Sequence, residues 1–187
     1  MNPNEVVCEK DQELLLQLSR NAIKTTVLKG RQLPVVHLLS QLLREKRGVF
    51  VTLWMEGELR GCIGFPYPVK PLGEAVQEAA ICSALQDFRF PPVKEEEVSR
   101  IEIEISVLTP PKEIKADQVK VGVHGLIISQ GQRSGLLLPQ VAMDYHWDAK
   151  TFLEQTSVKA GLAKNAWKDG AKLYAFEAQV FSEADLR

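Results

Sequence analysis

The segment Leu59-Arg60-Gly61-Cys62-Ile63-Gly64 places a thiol two residues after an arginine, with a glycine on each side. On an extended strand, residues two apart share a face, so this spacing predicts Arg60 and Cys62 side by side. A neighbouring cation favours thiolate over thiol, and the thiolate is the nucleophile and the metal ligand. Gly61 and Gly64 would let a ligand, or another backbone, approach the main chain closely. The same residues admit a plainer reading, in which Cys62 is a small buried hydrophobe and the glycines serve strand packing.

No base stands near this segment in sequence. His124, in the turn-like run Gly122-Val123-His124-Gly125, is the histidine that could serve Cys62 as base or orienter if the fold brings them together. The plainer reading, and the one its isolation favours, is the cap of a turn. His37 and His146 read as packing or surface residues. Asp87 and Arg89 could pair with each other or hold a carboxylate or phosphate, because guanidinium makes paired, planar hydrogen bonds. No complete set of nucleophile, base and acid is legible. Whether the chain is an enzyme is therefore open, with an activity at Cys62 as the candidate.

The phosphate-loop, dinucleotide, zinc-protease and serine-esterase templates are all missing from the sequence. The motifs imply no cofactor and no metal. The 23 Lys and Arg against 24 Asp and Glu give a net charge of -1, so no bulk positive field favours nucleic acid. Cys8, Cys62 and Cys82 are odd in number and lack C-x-x-C spacing, which fits a reducing compartment. Glu5, Glu9 and Asp11 stand where a signal peptide would need a basic start, and no run approaches membrane-spanning length. A cytoplasmic location is expected.

The elements that must position these residues follow from spacing. Leu14, Leu15, Leu18, Ala22, Ile23 and Val27 predict a helix capped near Asp11 and stopped at Gly30. Leu38 to Leu43 suggests a shorter helix. The β-rich run 48–55, the Glu56-Gly57 turn and a strand from Leu59 to Ile63 predict a hairpin. Leu72 to Leu85 reads as a helix introduced by Pro71, and Asp87 to Pro92 as a loop, since residues before proline are extended. Glu95-Glu96-Glu97 reads as a solvated face.

Further on, Ile101, Ile103, Ile105 and Val107 alternate with Glu102, Glu104 and Ser106, the mark of a strand with one wet face. A second hairpin is expected around 130–135, a helix after Asp148, and one last strand through Tyr174, Phe176, Ala178 and Val180. The 187 residues suit one domain, with room for two subdomains. Without a regular βαβ rhythm, the expected class is α+β with largely antiparallel pairing.

The motif 59–64 followed by Pro71-Leu72 resembles the signature of the AMMECR domain family. Asp87 to Pro92, Glu104 to Pro111, Val121 to Gly125, Leu137 to Ala142 and Lys159 to Leu162 with Trp167 resemble its other blocks, in the same order, over roughly 14–183. The bacterial and archaeal form is protein A of the AmmeMemoRadiSam system. The resemblance implies a two-lobed fold with a cleft, and an accessory role beside a Memo-like protein and a radical SAM protein. It points to Arg60, Gly61, Cys62, Ile63 and Gly64, with Asp87 and Arg89, as a surface for a partner or an unknown small-molecule ligand. Phe88 stands where relatives often have proline, and Thr156 where many microbial relatives have cysteine.

Overall fold

A computed structural model describes residues 6–30 and 40–186, as two compact units. The expected helix at Leu38 and Leu39, and His37 with it, fall outside the described residues. The first unit runs to Leu108 and resumes at Gln179; the second is Thr109–Ala178.

In the first unit, helix α1 spans Glu9–Lys29 and ends at Gly30. Its N-cap is Cys8, and Asp11 lies within the first turn, where an acid still complements the helix dipole. A single-turn helix α2, Gln41–Arg44, is capped by Ser40, whose hydroxyl accepts from the Leu43 N–H. Strands β1, Val49–Met55, and β2, Glu58–Phe65, form the expected hairpin. Helix α3, Leu72–Leu85, follows Pro71, and β3, Ile101–Leu108, pairs antiparallel with β1.

In the second unit, β4 (Lys112–Glu113), β5 (Gly125–Gln130) and β6 (Arg133–Leu137) precede helices α4 (Pro139–Asp144) and α5 (Ala149–Lys159) and strand β7 (Lys172–Phe176). These strands form an antiparallel sheet in the order β4-β7-β5-β6. Asp148 caps α5 as expected, accepting from Thr151 N–H at 2.7 Å. Strands β5 and β6 extend into the turn-rich segment, so the connection is shorter than its composition suggests. Leu126, Ile128, Phe152 and Leu153 form this unit's core.

The last expected strand is in fact two. After Glu177 the chain leaves the second sheet and continues as β8, Ala178–Ser182, which completes a first sheet ordered β2-β1-β3-β8. The break is held by Thr109, whose N–H donates to Glu177 O and whose Oγ1 accepts from Glu177 N–H, both at 2.9 Å. A core of Leu15, Ile23, Val51, Leu53, Ile103 and Phe181 fills the first unit. The mixed helical and antiparallel class is as expected. Among the described residues, no helix is long and apolar enough to cross a membrane.

Candidate functional site

Residues 51, 53, 61, 63, 103 and 105 lie on the helix-packed face of the first sheet by register and alternation. Thr52, Cys62 and Glu104 lie opposite one another across the three strands on the other face. Gly61 is where α3 comes closest: a Cβ there would fall 2.2 Å from Ser83 O. That approach lets Ser83 Oγ enter the hairpin ladder, donating to Val51 O at 2.7 Å and accepting from Ile63 N–H at 2.8 Å. A Cβ on Gly64 would sit 2.3 Å from Val49 O and against the Phe50 ring. Both glycines are used by packing.

Because β2 is an edge strand, the outward N–H and C=O of Cys62 need partners from outside the sheet. Asp87 Oδ2 accepts from Cys62 N–H at 2.8 Å, and Arg89 Nη2 donates to Cys62 O at 3.2 Å. Arg89 also grips Asp87 through Nε at 2.9 Å and Nη2 at 2.7 Å. The Asp87 side chain is only 2% exposed. The guanidinium holds its carboxyl well below the usual carboxylate range, against burial, with the N–H groups of Cys62 and Arg89 adding to the effect. Of the two roles open to Asp87 and Arg89, the structure shows mutual pairing, which pins the 87–92 loop to the Cys62 peptide.

Arg60 is placed differently from expectation. Leu53 faces Gly61 and Trp54 faces Leu59, so Arg60 is the extra residue of a β-bulge and the simple alternation breaks there. Its guanidinium is buried and meets Glu97 through two 2.9 Å contacts, Nε to Oε1 and Nη2 to Oε2. Glu97 therefore departs from the solvated face expected of its acidic run. Arg60 depresses the Glu97 carboxyl, with burial opposing and the Lys94 N–H helping. The guanidinium that engages Cys62 is that of Arg89.

The Cys62 sulfur is half-buried and accepts a hydrogen bond from Thr52 Oγ1 at 3.3 Å. Sequence reasoning passed over Thr52 and assigned Glu104 only to a wet strand face. Burial raises the Glu104 carboxyl, Trp54 opposes by hydrogen bonding, and Asp185 and Glu102 raise it further. The alternation of β3 and a register count across the first hairpin were the signals that could have found this row.

His124 belongs to the second unit. Its Nδ1 accepts from Lys120 N–H at 3.3 Å within its own turn. Burial lowers its pKa, Glu177 opposes and Lys120 adds to the lowering, so the imidazole is neutral at neutral pH. Thr156 is fully buried and donates to Phe152 O at 2.7 Å, so a thiol at that position would stand in the second unit's core. Among the described residues, no three His, Cys, Asp or Glu side chains gather to hold a metal.

The sequence pattern of the AMMECR1 family matches residues 16–181. A protein of Methanothermobacter thermautotrophicus is 46% identical over 177 residues, covering 90% of this chain and 92% of its own. One from Thermococcus onnurineus is 48% identical over 183 residues, covering 91% and 89%. The crystal structure of an uncharacterised protein from Pyrococcus horikoshii superposes with a TM-score of 0.78 at 45% identity, covering 91% of this chain and 90% of that one. Gly61, which admits Ser83, and Asp87, which clasps Cys62, both lie within the matched residues, and the chain belongs to the AMMECR1 family.

Proposed function

We propose that the chain is a cytoplasmic binding or accessory protein, the protein A component of an AmmeMemoRadiSam system. It works as one domain with two subdomains, beside a Memo-like protein and a radical SAM protein. The contact surface centres on Arg60 to Gly64 and the 87–92 loop. Phe88 is the observation that carries this reading, being 95% exposed between two residues fixed to the Cys62 peptide. A large aromatic held out to solvent on an anchored loop has little to gain in the free protein, and such residues dominate protein interfaces.

The test is binding of the purified chain to each partner, measured by calorimetry. Phe88→Ser should leave the melting temperature unchanged and weaken binding about tenfold or more. Wild-type affinity in that variant, or no binding by the unmodified chain with either partner in its cofactor-loaded state, would overturn the reading.

One observation favours a second reading, in which Cys62 is a nucleophile or sulfur ligand acting on a small or anionic substrate. Its sulfur accepts from Thr52, and Arg89 is bound to its peptide. Arg89 then takes the anion-facing role first expected of Arg60. Alkylation of Cys62 across pH, with Cys8 and Cys82 as internal controls, decides this. Reaction well below the ordinary thiol pKa of ~8.5 supports it, and labelling that follows the controls removes it.

A further inference from the structure

The loop that presents Phe88 is fixed at both ends. At its start Asp87 and Arg89 hold the Cys62 peptide. At its end the Val93 N–H donates to Ala84 O at 2.8 Å, and the Val93 side chain joins the first unit's core. Between these anchors the Phe90 N–H donates to Asp87 O at 3.0 Å, closing a turn with Phe88 at its corner. Arg89 lies 5.5 Å from the centre of the half-buried Phe90 ring, and its charge is already paired with Asp87. The loop therefore offers a partner shape more than charge.

The residues after the turn restrict how a partner can bind. Phe90 and Pro91 each precede a proline and are extended for that reason, and the proline rings fix φ. Lys94 continues extended, at φ −90° and ψ 162°. Residues 90–93 thus form a short stretch of polyproline II type, with Pro91 and Pro92 both exposed. Strand addition to another sheet needs an N–H at every second residue, and two successive prolines put a missing donor at a bonding position in either register. The carbonyls of Phe90, Pro91 and Pro92 have no donor among the described residues. Proline rings beside unpartnered acceptors, with no donors between them, suit a groove lined by aromatic side chains whose polar tips can donate.

We propose that the surface centred on Phe88 is recognised as a preformed polyproline II ligand. The partner offers a groove lined by tryptophan or tyrosine, which takes Pro91 and Pro92 against its rings and the Phe88 side chain in an adjoining apolar pocket. This rests on the reading of Phe88 as a contact residue and names the chemistry of what meets it. With both ends of the loop fixed in the free chain, little order remains to be imposed on binding.

Two measurements on the full chain, labelled with 15N and with 13C-proline, test the proposal. In the free chain, the amides of Phe88, Arg89 and Phe90 should be as rigid as those of β1 and β2, with order parameters of about 0.85, and values below about 0.6 would overturn it. On addition of the cofactor-loaded Memo-like protein, and separately of the radical SAM protein, the ring-proton signals of Pro91 and Pro92 should move upfield with one of them, as protons over an aromatic face do. A Pro91→Ala/Pro92→Ala variant should stay folded and bind that protein about tenfold more weakly. Binding that is lost in Phe88→Ser, yet leaves both proline signals unmoved, would overturn this inference and leave the partner reading standing. Absence of binding to both proteins would overturn the two together. The proline signals are read on the unmodified chain, so the test holds even if a variant fails to fold.

Discussion

Arg60 is buried at a bulge with one nitrogen, Nη1, left unpartnered, so its charge depends on the two contacts from Glu97. Removing one member of a buried ion pair strands the other, and Glu97→Ala should cost about 3 kcal/mol in chemical unfolding. The pH dependence has a defined sign. Glu97 titrates lower in the folded chain than in the unfolded one, so its contribution is fully present above the unfolded carboxylate value of ~4.3. It fades as pH falls through the depressed folded value. The wild-type acid limb should therefore flatten in Glu97→Ala, and an unchanged stability profile would refute the pairing. Little of this was legible beforehand: three successive glutamates look alike in sequence, and only the fold selects which one meets an arginine.

At the scale of elements, the docking of α3 onto β2 rests on Gly61 and Ser83 together. Gly61→Ala would set a methyl group against a backbone oxygen, which cannot move aside as a side chain could, and ~3 kcal/mol of destabilisation is expected. Ser83→Ala keeps the space but leaves Val51 O and Ile63 N–H without their shared partner, at about 1–3 kcal/mol. Thermal unfolding of both variants measures this, and a neutral Gly61→Ala would show that the helix sits farther off. The strands were readable because Ile101 to Val107 and the run before Glu56-Gly57 carry a period of two. The bulge at Arg60 was not, because one strand's spacing cannot reveal where its partner skips a residue. Nor could Ser83 be singled out, since a serine in an apolar helix carries no mark of the gap it fills.

For the whole molecule, antiparallel mixed architecture was legible from the order of elements, and the interruption of one unit by the other was not. Tyr174 to Val180 alternate without a break, so nothing local announces that the chain changes sheets at Glu177. Each unit nevertheless has its own core. Replacing residues 110–176 by a short glycine-containing turn should leave the first unit able to fold, because Thr109 and Glu177 already lie within hydrogen-bond distance. Cooperative unfolding and sheet-type circular dichroism of the shortened chain would support this. A molten product would mean that the first unit's core is insufficient alone.

The same interruption orders events during synthesis. Arg20 on α1 emerges from the ribosome 163 residues ahead of its carboxylate partner Glu183, which lies just beyond β8. Residues 109–178 emerge complete before that last strand does, so the second unit can settle while the first is still a three-stranded sheet with an open edge. Until β8 arrives, the free side of β3 is an invitation to strand exchange. A nascent chain stalled before Gln179 should accordingly be more prone to aggregation and proteolysis than the released protein.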